Sequence, residues 1–222
     1  MKFAIVLIAT LILTSCSTTQ LMGTWKNPDI DSYNPNKVLI IGITSNAEAR
    51  RKFEQQIQKE LSSRGTEAVT SLEFLGPSFG SDNKTEEQLG TLEDSLLNDG
   101  FDTILLTKVV GVEDKIAYSR DFDSYDEIHK KFREDYVQNQ GIYNNPDYYH
   151  EYTVYHAETS MYCICPTEDK ELIWKGYVDI IDPQSVEETV DDYAKLITLV
   201  LEEQHLIGPL NNRDEENKEA IN

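Results

Sequence analysis

The stretch Lys37–Thr44 reads KVLIIGIT and has no polar side chain between Val38 and Ile43. Successive residues of a strand point to opposite faces, so this run presents apolar groups on both sides and needs cover on both. That requirement points away from a sheet with one wet face and towards helices packed on a central strand. The next residues supply a helix. Ser45 or Asn46 can cap it. Phe53, Ile57 and Leu61 form one apolar stripe along 47–64, and Gly65 is placed to end it. Glu67–Ser71 (EAVTS) is a short second strand, and 72–84 reads as a loop from its Gly, Pro, Ser and Asn. Thr85 and Gln88 have the spacing of a capping box, with Leu89, Leu92 and Leu96 lining the helix that follows. Gly100 follows that helix, and Phe101–Val110 (FDTILLTKVV) is a third strand. Strands that alternate with helices in this way pair in parallel through right-handed crossovers.

The order breaks at 111–152, a polar, acidic and tyrosine-rich insertion with a short helix expected over Tyr125–Gln138. A connection this long inside a compact domain is usually functional or mobile. Residues 153–165 then alternate as a strand. Tyr155, Ala157, Thr159, Met161, Cys163 and Cys165 fall on one face, and His156, Glu158 and Ser160 on the other. Leu172–Ile180 (LIWKGYVDI) returns as its antiparallel partner. After Asp182-Pro183, Ser185 and Glu188 suggest a second capping box. The last helix runs to about Gln204, with Val186, Val190, Tyr193, Ile197 and Val200 inward, and Gly208-Pro209 beyond it bars further helix. The expected fold is a single α/β (α+β) domain of order β-α-β-α-β-β-β-α. It is a mixed sheet with helices packed on it and a long insertion after the third strand.

The amino terminus sets the expected location. Lys2 precedes an apolar run, Phe3–Leu13, of about eleven residues, where a bilayer span needs about twenty. Leu13-Thr14-Ser15-Cys16 follows and resembles the bacterial lipoprotein lipobox. The resemblance implies cleavage before Cys16, diacylglycerol on its sulfur, and a fatty acid such as palmitate on the new amine. Several acyl chains anchor stably while the body stays in water. Ser17, with no acidic run after it, points to the outer membrane, facing the periplasm. The expected organisation is a signal peptide over 1–15, a lipidated tether over 16–36, the α/β domain over 37–208 and a disordered acidic tail over 209–222.

Forty acidic residues against twenty basic give a net charge of −20. Nucleic-acid binding relies on Lys and Arg neutralising phosphates, so that class of partner is excluded, and lying flat on anionic lipid is disfavoured. The partners expected are the membrane, through the lipid, and an envelope protein or peptidoglycan. Besides Cys16 the chain has Cys163 and Cys165. Two residues apart on an extended strand, they lie about 7 Å from each other, too far to bridge easily, so two free buried thiols are expected.

No residue set forms a catalytic signature, and no cofactor is called for. There is no glycine-rich phosphate cradle. Arg50 and Glu54, four apart, are expected to pair on the helix surface. His150, Glu151, His156 and Glu158 form the rival set for an envelope enzyme or a metal site, because imidazole and carboxylate are metal ligands. The zinc-protease motif is absent, and both cysteines fall on the strand face away from His156 and Glu158. The insertion tyrosines are the expected binding surface: Tyr118, Tyr125, Tyr136, Tyr143, Tyr148, Tyr149 and Tyr152. Tyrosine gives broad contact area at low entropic cost.

Several segments together look like a family of bacterial envelope lipoproteins of unassigned function. They are the lipobox cysteine, Val38–Thr44 followed by Arg50-Arg51-Lys52-Phe53-Glu54, Gly100-Phe101-Asp102, Leu172-Ile173-Trp174-Lys175-Gly176, and Asp182-Pro183 with the terminal helix. The element order is also similar to the lipoprotein activators of peptidoglycan synthases and to the amino-terminal domain of the Tol-system propeller protein. The resemblance covers about residues 37–208. It implies a lipid-anchored, non-enzymatic binding or accessory module and carries over no functional residues.

Overall fold

The computed structural model describes residues 18–77, 79, 83–118, 133, 136–137, 149–164 and 171–210. It shows a single α/β domain with a mixed six-stranded sheet. The strands are β1 (Thr19–Lys26), β2 (Lys37–Ile43), β3 (Glu67–Thr70), β4 (Thr103–Tyr118), β5 (Tyr149–Cys163) and β6 (Leu172–Ile181). The helices are α1 (Ala47–Ser63), α2 (Ser71–Phe74), α3 (Glu86–Asn98) and α4 (Val186–Glu203). In space the strands run β1-β6-β5-β4-β2-β3. β2 pairs in parallel with β3 and β4, as the strand–helix alternation requires, and the other pairs are antiparallel.

β2 is covered on both faces. Val38 and Ile40 join the core under α1 and α4, with Ile57, Leu61, Trp174 and Ile197. Leu39 and Ile41 join a second core with Leu96 of α3 and Phe101. Each fully buried aliphatic side chain stabilises the fold by about 1.5–3 kcal/mol, so this strand fixes both helical layers. Asn46 caps α1 by accepting from the Glu48 and Ala49 amides. Thr85 and Gln88 complete the expected capping box on α3. Gly65 takes φ 84° past the end of α1, where a side chain would be strained. Ser185 caps α4 by accepting from the Glu188 amide at 3.1 Å.

The structure differs from the sequence expectations in several places. The segment expected as a tether contains β1, which pairs along its length with β6. Trp174 of β6 is fully buried, and Gly176 lies beneath its ring. The expected loop at 72–84 begins with α2, whose start carries a Thr70–Glu73 capping box. The insertion opens as strand: β4 and β5 stay paired out to Tyr118 and Tyr149. Of the helix expected over 125–138, Arg133, Tyr136 and Val137 are described, and all three are helical. Cys163 is disulfide-bonded, against the expectation of a free thiol. That expectation assumed an extended strand on both sides, and β5 ends at Cys163. The expected signal peptide, Cys16, Cys165 and the expected tail from residue 211 lie outside the described residues.

Arg50 and Glu54 do pair, but not on the surface. Glu54 is fully buried. Its Oε1 accepts from Arg50 Nε at 3.0 Å and from Ser71 Oγ at 2.7 Å, and its Oε2 accepts from the Leu72 amide at 3.2 Å. Arg50 also donates to the Phe79 carbonyl and to Ser71 Oγ. A buried charge survives only when paired and hydrogen-bonded, and this network binds β2, α1 and α2 together.

Candidate functional site

A cleft of ≈ 340 Å³ opens where β2 ends and α1 and α4 begin. Val109, Tyr155, Ala157 and Ile180, from three neighbouring strands, line it together with Phe53 of α1 and Val190 of α4. The crevice beyond the carboxyl ends of parallel strands is the usual ligand position in open α/β sheets. Thr107 and Tyr193 line it and are joined through Thr159. Thr107 and Thr159 share a hydrogen bond of 2.7 Å, and Thr159 meets the Tyr193 hydroxyl at 2.9 Å. Burial pushes the Tyr193 phenol well above its ordinary value, with the Thr159 bond opposing, so the group stays neutral. The Tyr193 ring meets Phe53 edge-on at 5.8 Å.

The cleft is poor in charge. Among the described residues that line it there is no carboxylate, histidine, cysteine or lysine. Arg50 is its one ionised side chain, and it is held by Glu54, Ser71 and Phe79. Both helix starts that border the cleft carry acids in their first turn, Glu48 in α1 and Glu187 and Glu188 in α4. These acids already offset the helix dipoles, so an anionic ligand finds little attraction there. Lys52 bridges Glu48 at 3.2 Å and Glu187 at 3.4 Å and ties the two helix starts together. Thr189 Oγ1, in the lining, is buried and has no hydrogen-bond partner. It is one place where a bound molecule could gain a polar contact. The apolar surface continues out of the cleft along β4. Val109, Val112 and Ile116 are 39%, 60% and 54% exposed, and Val112 sits opposite Tyr155.

The described members of the rival set are not brought together into one site. His156 and Glu158 lie on the sheet face away from the cleft, and Glu151 lies on the cleft side by strand alternation. His156 Nδ1 contacts Asp179 Oδ1 at 2.6 Å, and its Nε2 lies 3.5 Å from Glu113. Glu158 Oε1 is held between Lys108 at 3.0 Å and Lys175 at 2.9 Å. Glu158 and Ser160 are buried on this face. His150 belongs to β5, and its side chain lies outside the described residues. Among the described residues, no three His, Cys, Asp or Glu side chains are grouped closely enough to hold a metal ion.

Of the insertion tyrosines, Tyr118 and Tyr149 are register partners at the end of the β4–β5 pair. Tyr152 is half-buried on the His156 face, and Tyr136 is exposed. Tyr125, Tyr143 and Tyr148 lie outside the described residues. Sequence reasoning missed the cleft because its lining comes from six elements and is largely apolar. The spacing of Ser45-Asn46 and of Ser185 did mark its two helical borders.

No protein-family model matches the chain, and no curated protein matches it in sequence. Among solved structures it is similar to the PelC dodecamer from Paraburkholderia phytofirmans. The TM-score is 0.43 and the identity 8%, over 85% of this chain and 98% of that one. It is also similar to lipoprotein GNA1162 from Neisseria meningitidis, with a TM-score of 0.40 and 12% identity over 76% of this chain and 97% of that one.

Proposed function

We propose that the protein is a lipid-anchored, non-enzymatic binding module of the bacterial cell envelope, held at the outer membrane and facing the periplasm. In this reading Cys16 carries the lipid, and the cleft between α1 and α4 receives an apolar segment of an envelope protein. The observation that carries the binding role is the cleft itself. It is lined largely by apolar side chains and runs on into an exposed apolar strand face. Its one charged side chain is fully engaged, which suits contact better than proton transfer. The Leu13–Cys16 sequence supports the anchor. No described helix is long and apolar enough to cross a membrane.

The test is photo-crosslinking in living cells, with benzoylphenylalanine placed at Gln184 or Val112 and, as control, at Glu86 on α3. One envelope protein should be captured reproducibly from the first two positions and not from the third. Ile43→Asp, at the exposed rim, should reduce that capture. Equal labelling from all three positions would remove the cleft from the function.

A further inference from the structure

β1 stands at the free edge of the sheet, and its exposed side chains are unusually apolar. Leu21, Met22 and Trp25 are 37%, 57% and 44% exposed. Met22 falls at a bulge in the β1–β6 pairing, which leaves it without a register partner. Next to it, Gly23 sits opposite Tyr177. With no side chain at Gly23, Tyr177 remains 44% exposed on the same face as Trp25. An apolar edge strand invites pairing with other chains unless something covers it.

Two further observations say what covers it. The first is distance. The Thr18 carbonyl already accepts from the Ile181 amide at 2.7 Å, so the chain is fixed to the sheet from that residue on. Cys16 is two residues before Thr18, and that span reaches at most about 7 Å. With so short a link, a lipid on Cys16 would place this edge at the bilayer surface. The second is charge. In a chain of net charge −20, the stretch from Ser17 to Lys26 has no acidic residue. Lys26 ends the strand, and its Nζ contacts the Asp31 and Gln204 carbonyls.

We infer that β1 is a membrane-contact edge, lying along a lipid surface with Trp25, Tyr177 and Met22 at headgroup depth. Trp and Tyr favour this zone because one end of each ring system is apolar and the other is polar. The inference rests on lipidation of Cys16 as proposed above. Burying these side chains adds an orienting contact to an anchor that acyl chains alone would leave free to swivel. The sheet then stands edge-on, with β3 farthest from the membrane.

The test separates the two claims. The full chain is purified from membranes, and the mass of its amino-terminal peptide establishes whether Cys16 carries lipid. The lipidated protein is then placed in phosphatidylethanolamine–phosphatidylcholine vesicles with brominated acyl chains. Trp174 is fully buried, so quenching by bromine reports Trp25, the other tryptophan. Emission from Trp25 should fall relative to unbrominated vesicles and shift to the blue. The fall should vanish in Trp25→Phe and shrink in a Leu21→Glu, Met22→Glu double variant with unchanged near-ultraviolet circular dichroism. Lipidated protein with unquenched Trp25, whether or not it self-associates, would overturn the contact edge and leave the anchor standing. Unmodified Cys16 would overturn both.

Discussion

The Gly42 amide donates to Glu54 Oε1 at 3.0 Å, joining β2 to the buried face of α1. A side chain at Gly42 would crowd Phe53 and Arg50. The strand therefore approaches the carboxylate with little room to spare at residue 42. Glu54→Ala should destabilise the fold by about 3–5 kcal/mol, because it leaves Arg50 and the Gly42 amide without their partner in a dry site. Urea unfolding measures this, and a loss below about 1 kcal/mol would mean water reaches the network.

Gly176→Ala and Gly23→Ala should behave oppositely, although both glycines lie on paired strands. A Cβ at Gly176 would overlap the buried Trp174 indole, while one at Gly23 meets nothing within 4 Å. The first should cost about 1–3 kcal/mol by overpacking. The second should stay within about 0.5 kcal/mol. Thermal unfolding of the pair gives the comparison directly.

Glu158 should contribute stability that acid removes. Burial alone would raise its carboxyl, but hydrogen bonds from Lys175 and Lys108 outweigh burial and hold it below its ordinary value. A depressed carboxylate contributes fully above its unfolded value of about 4.3 and loses that contribution as pH falls through the folded value. Wild type should therefore be more stable than Glu158→Gln at pH 7, and the gap should close below pH ~4. A gap independent of pH would show that the lysines do not set the charge state.

His156 should show the opposite sign. Its hydrogen bond with Asp179 raises its imidazole above the ordinary value, helped by Glu113 and opposed by desolvation. The stability it contributes is present below the unfolded value of about 6.5 and is lost as pH rises through the folded value. A nuclear magnetic resonance titration should place His156 above about 6.5, and Asp179→Asn should bring it down. An unchanged midpoint in that variant would rule out Asp179 as the cause.

Tyr193→Phe should be mild, about 0.5–1.5 kcal/mol, because Thr159 keeps its bond to Thr107 when the phenol is lost. Tyr193→Ala should cost about 3–5 kcal/mol, since it empties the space beside Phe53 and Ile197. Equal losses in the two variants would place the value of Tyr193 in its hydroxyl rather than its ring.

The elements that the sequence made readable are those whose signals are local. β2 could be read from its unbroken apolar run, α1 from the spacing of Phe53, Ile57 and Leu61, and α3 from Thr85 and Gln88. β1 could not be read this way, because TQLMGTWK has no clean alternation and contains a glycine. It is a strand because β6 offers it an edge. Glu54 shows the same limit. A spacing of four from Arg50 predicts a pair, but only the packing of α2 over it makes that pair buried. The cleft depends on the ends of several elements meeting, which no single stretch encodes.

The strand order also fixes when the sheet can close. Thr19 of β1 is the register partner of Ile180 in β6, so one of the first strands made pairs with the last. Strands β2 to β4 can assemble from nearby sequence, whereas β1 must wait for β6 to emerge. Until then β1 has no partner strand. In the export and lipidation proposed above, the modifying enzyme would act on an unfolded segment, before the Thr18 carbonyl accepts from the Ile181 amide and fixes the chain at that point. Folding itself would close the window for that modification.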